Sequence, residues 1–188
     1  MFTEYLNVLH ENSPLSIDSR KALSRYITIK KIPKGEYILK YEEVCKHIYY
    51  VNKGLVRIFY FKNGKEITEW FADEKQFFFS IISYFEQHGS RLIIETLEDS
   101  EIIFLSKEGQ DQLRRSNLEI SNLIIHFYTL SLILSQKRME SLQFESAAQR
   151  YKNLLQNQPK IVNKVPLQHI ASFLGITQET LSRIRSSL

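Results

Sequence analysis

Val165–Leu188 reads VPLQHIASFLGITQETLSRIRSSL, and its residues order themselves as two short helices around a tight turn. Pro166 opens the first helix, where a missing N–H costs nothing. Leu167, Ile170, Ala171 and Leu174 follow at spacings of three and four and make one apolar face. Gly175 stands where a helix ends in a left-handed residue. Ile176 is a small apolar plug in the turn. Thr177 is suited to cap the second helix, and Glu179 lies in its first turn, where negative charge is favoured. Leu181, Ile184 and Leu188 then face inward. Gln178, Glu179, Ser182, Arg183 and Arg185 face outward.

Such a pair fits a helix-turn-helix, whose second helix enters a DNA major groove. It also fits an ordinary helical hairpin, and spacing alone leaves both open. The outward face favours the DNA reading, because it carries arginine, glutamine, serine and threonine rather than a Lys/Glu surface mix. Arg binds guanine edges or phosphate, Gln reads adenine, and Glu accepts from cytosine.

The whole chain has 188 residues, 43% of them hydrophobic, enough for one or two domains with a real core. Cys45 is the single cysteine, so no intrachain disulfide and no thiolate-ligated cluster within one chain is possible. The N-terminus MFTEYLNVLHENSPL lacks the basic start of a signal peptide. The greasiest run, Leu123–Leu134, is interrupted by His126, Thr129 and Ser131 and is short for a bilayer span. A cytoplasmic protein without membrane contact is expected. From Lys137 onward eight Lys/Arg stand against three Asp/Glu, and the front of the chain is near neutral, as suits a sensor joined to a nucleic-acid binder.

Residues 1–25 read as helical: Phe2, Leu6 and Leu9 share a face, Ser13-Pro14 breaks the chain, and Ser16 or Asp18 caps a second short helix. From Ile27 the period changes. ITIKKI, YILK, HIYYV, LVRIFYF and EITEWF are short strands, punctuated by Pro33-Lys34-Gly35-Glu36, Asn52-Lys53-Gly54 and the hairpin turn Asn63-Gly64. Further strands fall at Leu92–Leu97 and Glu101–Leu105. Many short strands with Gly-marked turns predict a mainly β jelly roll of two sheets. A short helix near Lys107–Arg115 follows. Asn117 then caps a long helix in which Ile120, Leu123, Phe127, Leu130 and Leu134 make a heptad-like seam. That seam is the expected dimer interface, and a single buried helix is the alternative. Ser141–Asn157 reads as a further helix with Glu145, Arg150 and Lys152 outside. Lys160–Val165 reads as a connector whose Lys160 and Lys164 are candidate phosphate contacts.

The closing segment closely resembles the DNA-binding helix pair of the Crp/Fnr family of bacterial regulators. The likeness runs through Ile170, Ala171, Leu174, Gly175, Thr177, Glu179, Thr180, Leu181, Ser182, Arg183 and Ile184, and ITQETLSRIR is similar to the Bacteroides-type branch. The resemblance implies a cyclic-nucleotide-binding-like jelly roll over 1–116, a dimerisation helix over 117–140 and a helix-turn-helix domain over 141–188. It implies Glu179 and Arg183 as base readers, within a DNA-binding set of Thr177, Gln178, Glu179, Ser182, Arg183 and Arg185. The partners it implies are double-stranded DNA, a second copy of the chain, and RNA polymerase. No wing follows the second helix in this sequence, which reads as a minimal reading unit.

The family's cyclic-nucleotide signature has a Gly-Glu pair and then an Arg-Ser pair. Here FFFSIISYF and Gly89-Ser90-Arg91 stand in their places. The missing Glu argues against cyclic AMP and for an unidentified small effector or an empty pocket, with Phe79, Ser80, Ser90 and Arg91 as candidate pocket residues. No cofactor is indicated. The five histidines are scattered without metal-ligand spacing, and no catalytic set or phosphate loop occurs, so neither a metal site nor an enzyme is expected. The competing function is an effector-binding or structural dimer with a vestigial helix pair.

Overall fold

A computed structural model describes residues 3–187. The inward roles expected of Phe2 and Leu188 lie outside the described residues. Two helices come first, α1 (Thr3–Asn12) and α2 (Ile17–Ser24). Ser16, rather than Asp18, is the cap of α2, its side chain accepting from the Ser19 N–H.

Eight strands follow: β1 (Ile27–Ile32), β2 (Tyr37–Leu39), β3 (His47–Lys53), β4 (Leu55–Lys62), β5 (Lys65–Asp73), β6 (Phe77–Phe78), β7 (Ile93–Thr96) and β8 (Ser100–Ser106). They form two four-stranded sheets, in the orders β1-β8-β3-β6 and β2-β7-β4-β5. This is the expected jelly roll. The Asn63-Gly64 turn joins β4 to β5 with both residues at positive φ, 52° and 75°, the geometry of a hairpin turn matched to strand twist. Gly54 has φ 114°, and a Cβ there would fall 2.8 Å from the Ser100 Cα, so only glycine fits between β3 and β4. The strand β6 was not foreseen, since two residues are too few for an alternating pattern. A short helix, α3 (Ile81–Glu86), spans β6 and β7.

Side-chain alternation along the strands divides the core into three. Along β3, Tyr49 points into the jelly-roll interior with Val56, Ile58, Ala72, Ile94 and Ile102. Its neighbour Tyr50 points outward to Tyr5, Leu9 and Leu23 of the N-terminal helices. On the other sheet Leu55 and Phe71 alternate with Val56 and Ala72, and their outer face carries the C-terminal helices.

After α4 (Lys107–Leu113), the Asn117 side chain accepts from the Ile120 N–H and starts α5 (Leu118–Phe144). The break expected at residues 140–141 does not occur. Nothing in the sequence around Ser141 breaks a helix, and α5 runs on to Phe144. Glu145 then turns extended, and Ser146 caps α6 (Ala147–Asn157) by accepting from Gln149. The expected connector is also helical: Pro159 sits in the first turn of α7 (Pro159–Lys164). Lys160 and Lys164 are paired to Glu74 at 3.0 Å and Glu98 at 2.5 Å, which ties α7 to the jelly roll instead of offering both ammonium groups to phosphate.

The expected dimer seam needs correction. Ile120, Leu123 and Phe127 are buried with Ile124 against the chain's own jelly roll and α1. Leu130 and Leu134 continue the same face beyond the jelly-roll core, where they are 37 and 45% exposed. The solvent-facing apolar stripe is instead Leu118, Ile125, Leu132 and Met139, seven apart and 77, 58, 70 and 47% exposed. The reason is that α5 is apolar on nearly every side, so periodicity finds several seams and cannot say which one the jelly roll covers. By length and composition alone α5 is also sufficient to cross a membrane, which the Leu123–Leu134 run did not suggest; its first turns are part of the jelly-roll core.

Candidate nucleic-acid interface and effector cavity

The closing helices are α8 (Leu167–Phe173) and α9 (Gln178–Ser186). Gly175 is left-handed at φ 68°, the Ile176 N–H reaches the Ala171 carbonyl at 3.0 Å, and the Gly175 N–H reaches that of Ser172 at 3.1 Å. This is a Schellman ending. Ile176 packs into the core of the module, and the Thr177 side chain caps α9 by accepting from the Thr180 N–H at 3.2 Å. Leu181 anchors α9 in that core, while Gln178, Glu179, Ser182, Arg183 and Arg185 are exposed together. The Glu179 carboxyl is held below the usual range, first by the Thr177 hydroxyl, then by its own N–H and by the Arg183 charge, so it stays an acceptor.

Two carbonyls that the Schellman ending leaves over, at Phe173 and Leu174, are met by arginines from elsewhere. Arg138 of α5 donates from Nη2 to the Phe173 carbonyl and lies over the Phe173 ring, 3.9 Å from its centroid. Arg150 of α6 donates to the Leu174 carbonyl from Nε at 3.0 Å and Nη2 at 2.8 Å, and from Nη1 to the Glu145 carbonyl. Arg150 read from sequence as an outside residue. Cations at a helix C-terminus suit its negative end, but the partners lie far along the chain, and no local pattern marks them.

The module also docks on the jelly roll. The β4–β5 register slips between Ile58 and Phe59, which leaves Glu69 as a bulge. The Thr68 N–H donates to Ser172 Oγ of α8 at 2.9 Å, and that hydroxyl donates to the Glu66 carbonyl at 3.2 Å. Nearby, Arg57 is 1% exposed. Its Nε donates to Thr68 Oγ1 at 3.0 Å, its Nη1 pairs with Glu66 at 2.8 Å and Glu95 at 2.9 Å, and the guanidinium lies 4.2 Å from the Phe59 centroid.

His169 of α8 approaches this cluster. Burial lowers its pKa from the ordinary 6.5, the Arg57 charge lowers it further, and Glu66 acts the other way. A histidine kept neutral by the fold contributes stability above its unfolded pKa that fades as pH falls through 6.5 toward the folded value. Stability should therefore drop more between pH 7.5 and 5.5 in the native chain than in His169→Gln. Paired denaturant melts at the two pH values check this, with the half-buried His47 contributing equally to both.

Between the jelly roll and the second half of α5 lies a cavity of about 420 Å³. Ile58, Trp70 and Phe77–Phe79 form one wall, and Ser131, Leu134, Ser135, Arg138 and Leu142 the other. Glu69 of the bulge stands in the same wall. Of the expected pocket residues, Phe79 lines the cavity. Ser80 and Ser90 do not: both are buried and bonded to each other at 2.8 Å, and Ser90 Oγ donates onward to the Leu92 carbonyl at 2.8 Å. Arg91 is exposed on the approach to β7 and outside the lining. Sequence reasoning missed Trp70, Glu69 and Arg138, which only the folded α5 brings together. Among the described residues no group of three or more His, Cys, Asp or Glu is placed to hold a metal ion.

A model of the cyclic nucleotide-binding domain matches residues 29–117. No curated protein matches the sequence. Among solved structures, FixK2 from Bradyrhizobium japonicum is 20% identical, with a TM-score of 0.73 over 86% of this chain and 84% of that one. The catabolite activator protein of Thermus thermophilus is 22% identical, with a TM-score of 0.58 over 96% and 86%. A CooA mutant from Carboxydothermus hydrogenoformans is 20% identical, with a TM-score of 0.66 over 99% and 83%. At these identities the likeness is one of fold, and it extends through jelly roll, long helix and helix pair. Residues 29–117 match the cyclic nucleotide-binding domain family, and the chain as a whole shares the fold of these solved structures.

Proposed function

We propose that the chain is a homodimeric, sequence-specific DNA-binding regulator controlled by a small molecule. The observation that carries this reading is α9: a capped helix anchored by Leu181, with Gln178, Glu179, Ser182, Arg183 and Arg185 presented together to solvent. A helix with only solvent to meet has no need of that set, and every member offers donors or acceptors to base edges or phosphate. The reading unit begins at the Ser146 cap, the jelly roll is the sensor, and α5 joins them. The stripe Leu118, Ile125, Leu132 and Met139 is the surface on which two copies pair, placing two α9 helices about one DNA turn apart.

Selection from random duplex DNA by the intact protein, repeated at several salt concentrations, tests this. Enrichment of a pseudo-palindromic site is expected. Recovery of no sequence above background sinks the reading and leaves the helix pair vestigial. Arg183→Ala should cost about 1–3 kcal/mol against the selected site and relax preference at one base position, with the melt unchanged. An equal loss on all sequences would reassign Arg183 to phosphate.

A further inference from the structure

We propose that the cavity beside α5 takes a compact, largely apolar organic molecule bearing one negative charge, and that Arg138 holds that charge. This deepens the regulator reading by naming the chemistry of its effector. Three features carry it. Phenylalanines 77–79, Trp70, Ile58 and Leu134 give the cavity apolar and aromatic walls, which reward an apolar body. Arg138 enters those walls with only one donor spent, Nη2 on the Phe173 carbonyl, and no carboxylate lies within 4.0 Å of it among the described residues. A guanidinium with donors unspent among apolar walls favours an anion, and Glu69, the negative charge that acts on it, makes no ion pair with it. Burial is the main reason its pKa is lowered to about 10, with the Arg150 charge adding to it and the Glu69 charge opposing it. Glu69 in the same wall partly offsets the Arg138 charge, so no more than one negative charge on the occupant is matched.

The occupant is felt by the reading unit through side chains already in contact with it. Arg138 holds the Phe173 carbonyl, Trp70 meets the Phe173 ring at 6.5 Å between centroids, and Leu142 reaches to within 3.5 Å of where a Gly175 side chain would begin. An anion that recruits Arg138 competes with the Phe173 carbonyl and loosens α8 from β5.

Trp70 is the single tryptophan and reports occupancy directly. Two probes of nearly one shape separate charge from greasiness: anilinonaphthalene sulfonate, an anion, and phenyl naphthylamine, which is neutral. With the full chain, the sulfonate should quench Trp70 saturably at one site per protomer and bind at least about tenfold tighter than the neutral amine. Arg138→Gln should erase that preference and Arg138→Lys restore most of it. Ser135→Phe, at an exposed position, fills the cavity and should remove both probes. Equal affinity of the two probes for the native chain overturns the proposal without any variant, as does absence of quenching or indifference to Ser135→Phe. Displacement of the sulfonate by cyclic AMP in an Arg138-dependent way would place a nucleotide there and overturn the apolar class. No DNA enters this experiment, so its failure is distinct from failure of the DNA selection.

Discussion

Leu132→Glu should leave the protomer folded and, on the proposed pairing, keep two protomers apart. Leu132 is 70% exposed at the middle of the stripe formed with Leu118, Ile125 and Met139, so its removal opens no cavity within one chain. The stripe runs about 32 Å along α5 at 1.5 Å per residue, long enough for a two-stranded seam. A carboxylate at its centre would face its own symmetry mate across a desolvated contact, where like charges repel and nothing pairs them. Two half-sites read by one linked pair gain about 100- to 10,000-fold over one reader alone, and that gain is what the substitution removes. Sedimentation should show a monomer, the melt of the protomer should be preserved at low concentration, and anisotropy titrations on the selected DNA should show the loss. A Leu132→Glu protein that sediments as a dimer would move the interface off this stripe.

Arg57→Ala is expected to cost about 3–5 kcal/mol of stability, the largest effect of any single side chain considered. The guanidinium joins β4 to β5 through Thr68 and Glu66 and to β7 through Glu95. Truncation strands Glu95 in a partly buried site and empties the volume over Phe59. Nη2 already lacks a partner, so the native arrangement is not itself optimal. An apolar replacement of the group as a whole, Arg57→Met with Thr68→Val and Glu95→Leu, should therefore recover more than half of the loss. Guanidinium melts of the single and triple variants decide between the accounts. If Arg57→Ala melts like the native chain, the cluster is a bystander.

Much of the architecture was readable because its determinants are local. The strand ITIKKI coincides with β1, Asn63-Gly64 is the hairpin, Gly175 is left-handed, and Thr177 and Asn117 are caps, each decided by residues within one turn. What was not readable depends on pairings far along the chain. Ser172 meets Thr68 across 104 positions, and Arg138 meets Phe173 across 35. No spacing rule links them. The α5 seam failed for a different reason: its apolar positions satisfy more than one face, and only the curvature of the jelly roll chooses Ile120, Leu123 and Phe127 for the core. The pocket expectation placed Ser80 and Ser90 by alignment to a pattern of charged residues that this chain lacks. In the fold their hydroxyls satisfy each other, and the cavity lies further along α5, next to Arg138.

The unbroken course of α5 has a mechanical corollary. Its first turns are fixed in the jelly roll around Leu123 and Ile124, and its last turn ends at Phe144, about 30 Å away at 1.5 Å per residue. Once the contacts that hold α8 on β5 are released, a stiff rod clamped at one end magnifies rotation. A tilt of about 5° at the clamp swings the far end by about 3 Å, close to the 3.4 Å rise of one base step. Had the rod been jointed near residue 140, that swing would be absorbed at the joint. Without one, a small shift at the jelly roll would reach the C-terminal helices undiminished and, in the proposed regulator, carry them most of one rung along the DNA ladder.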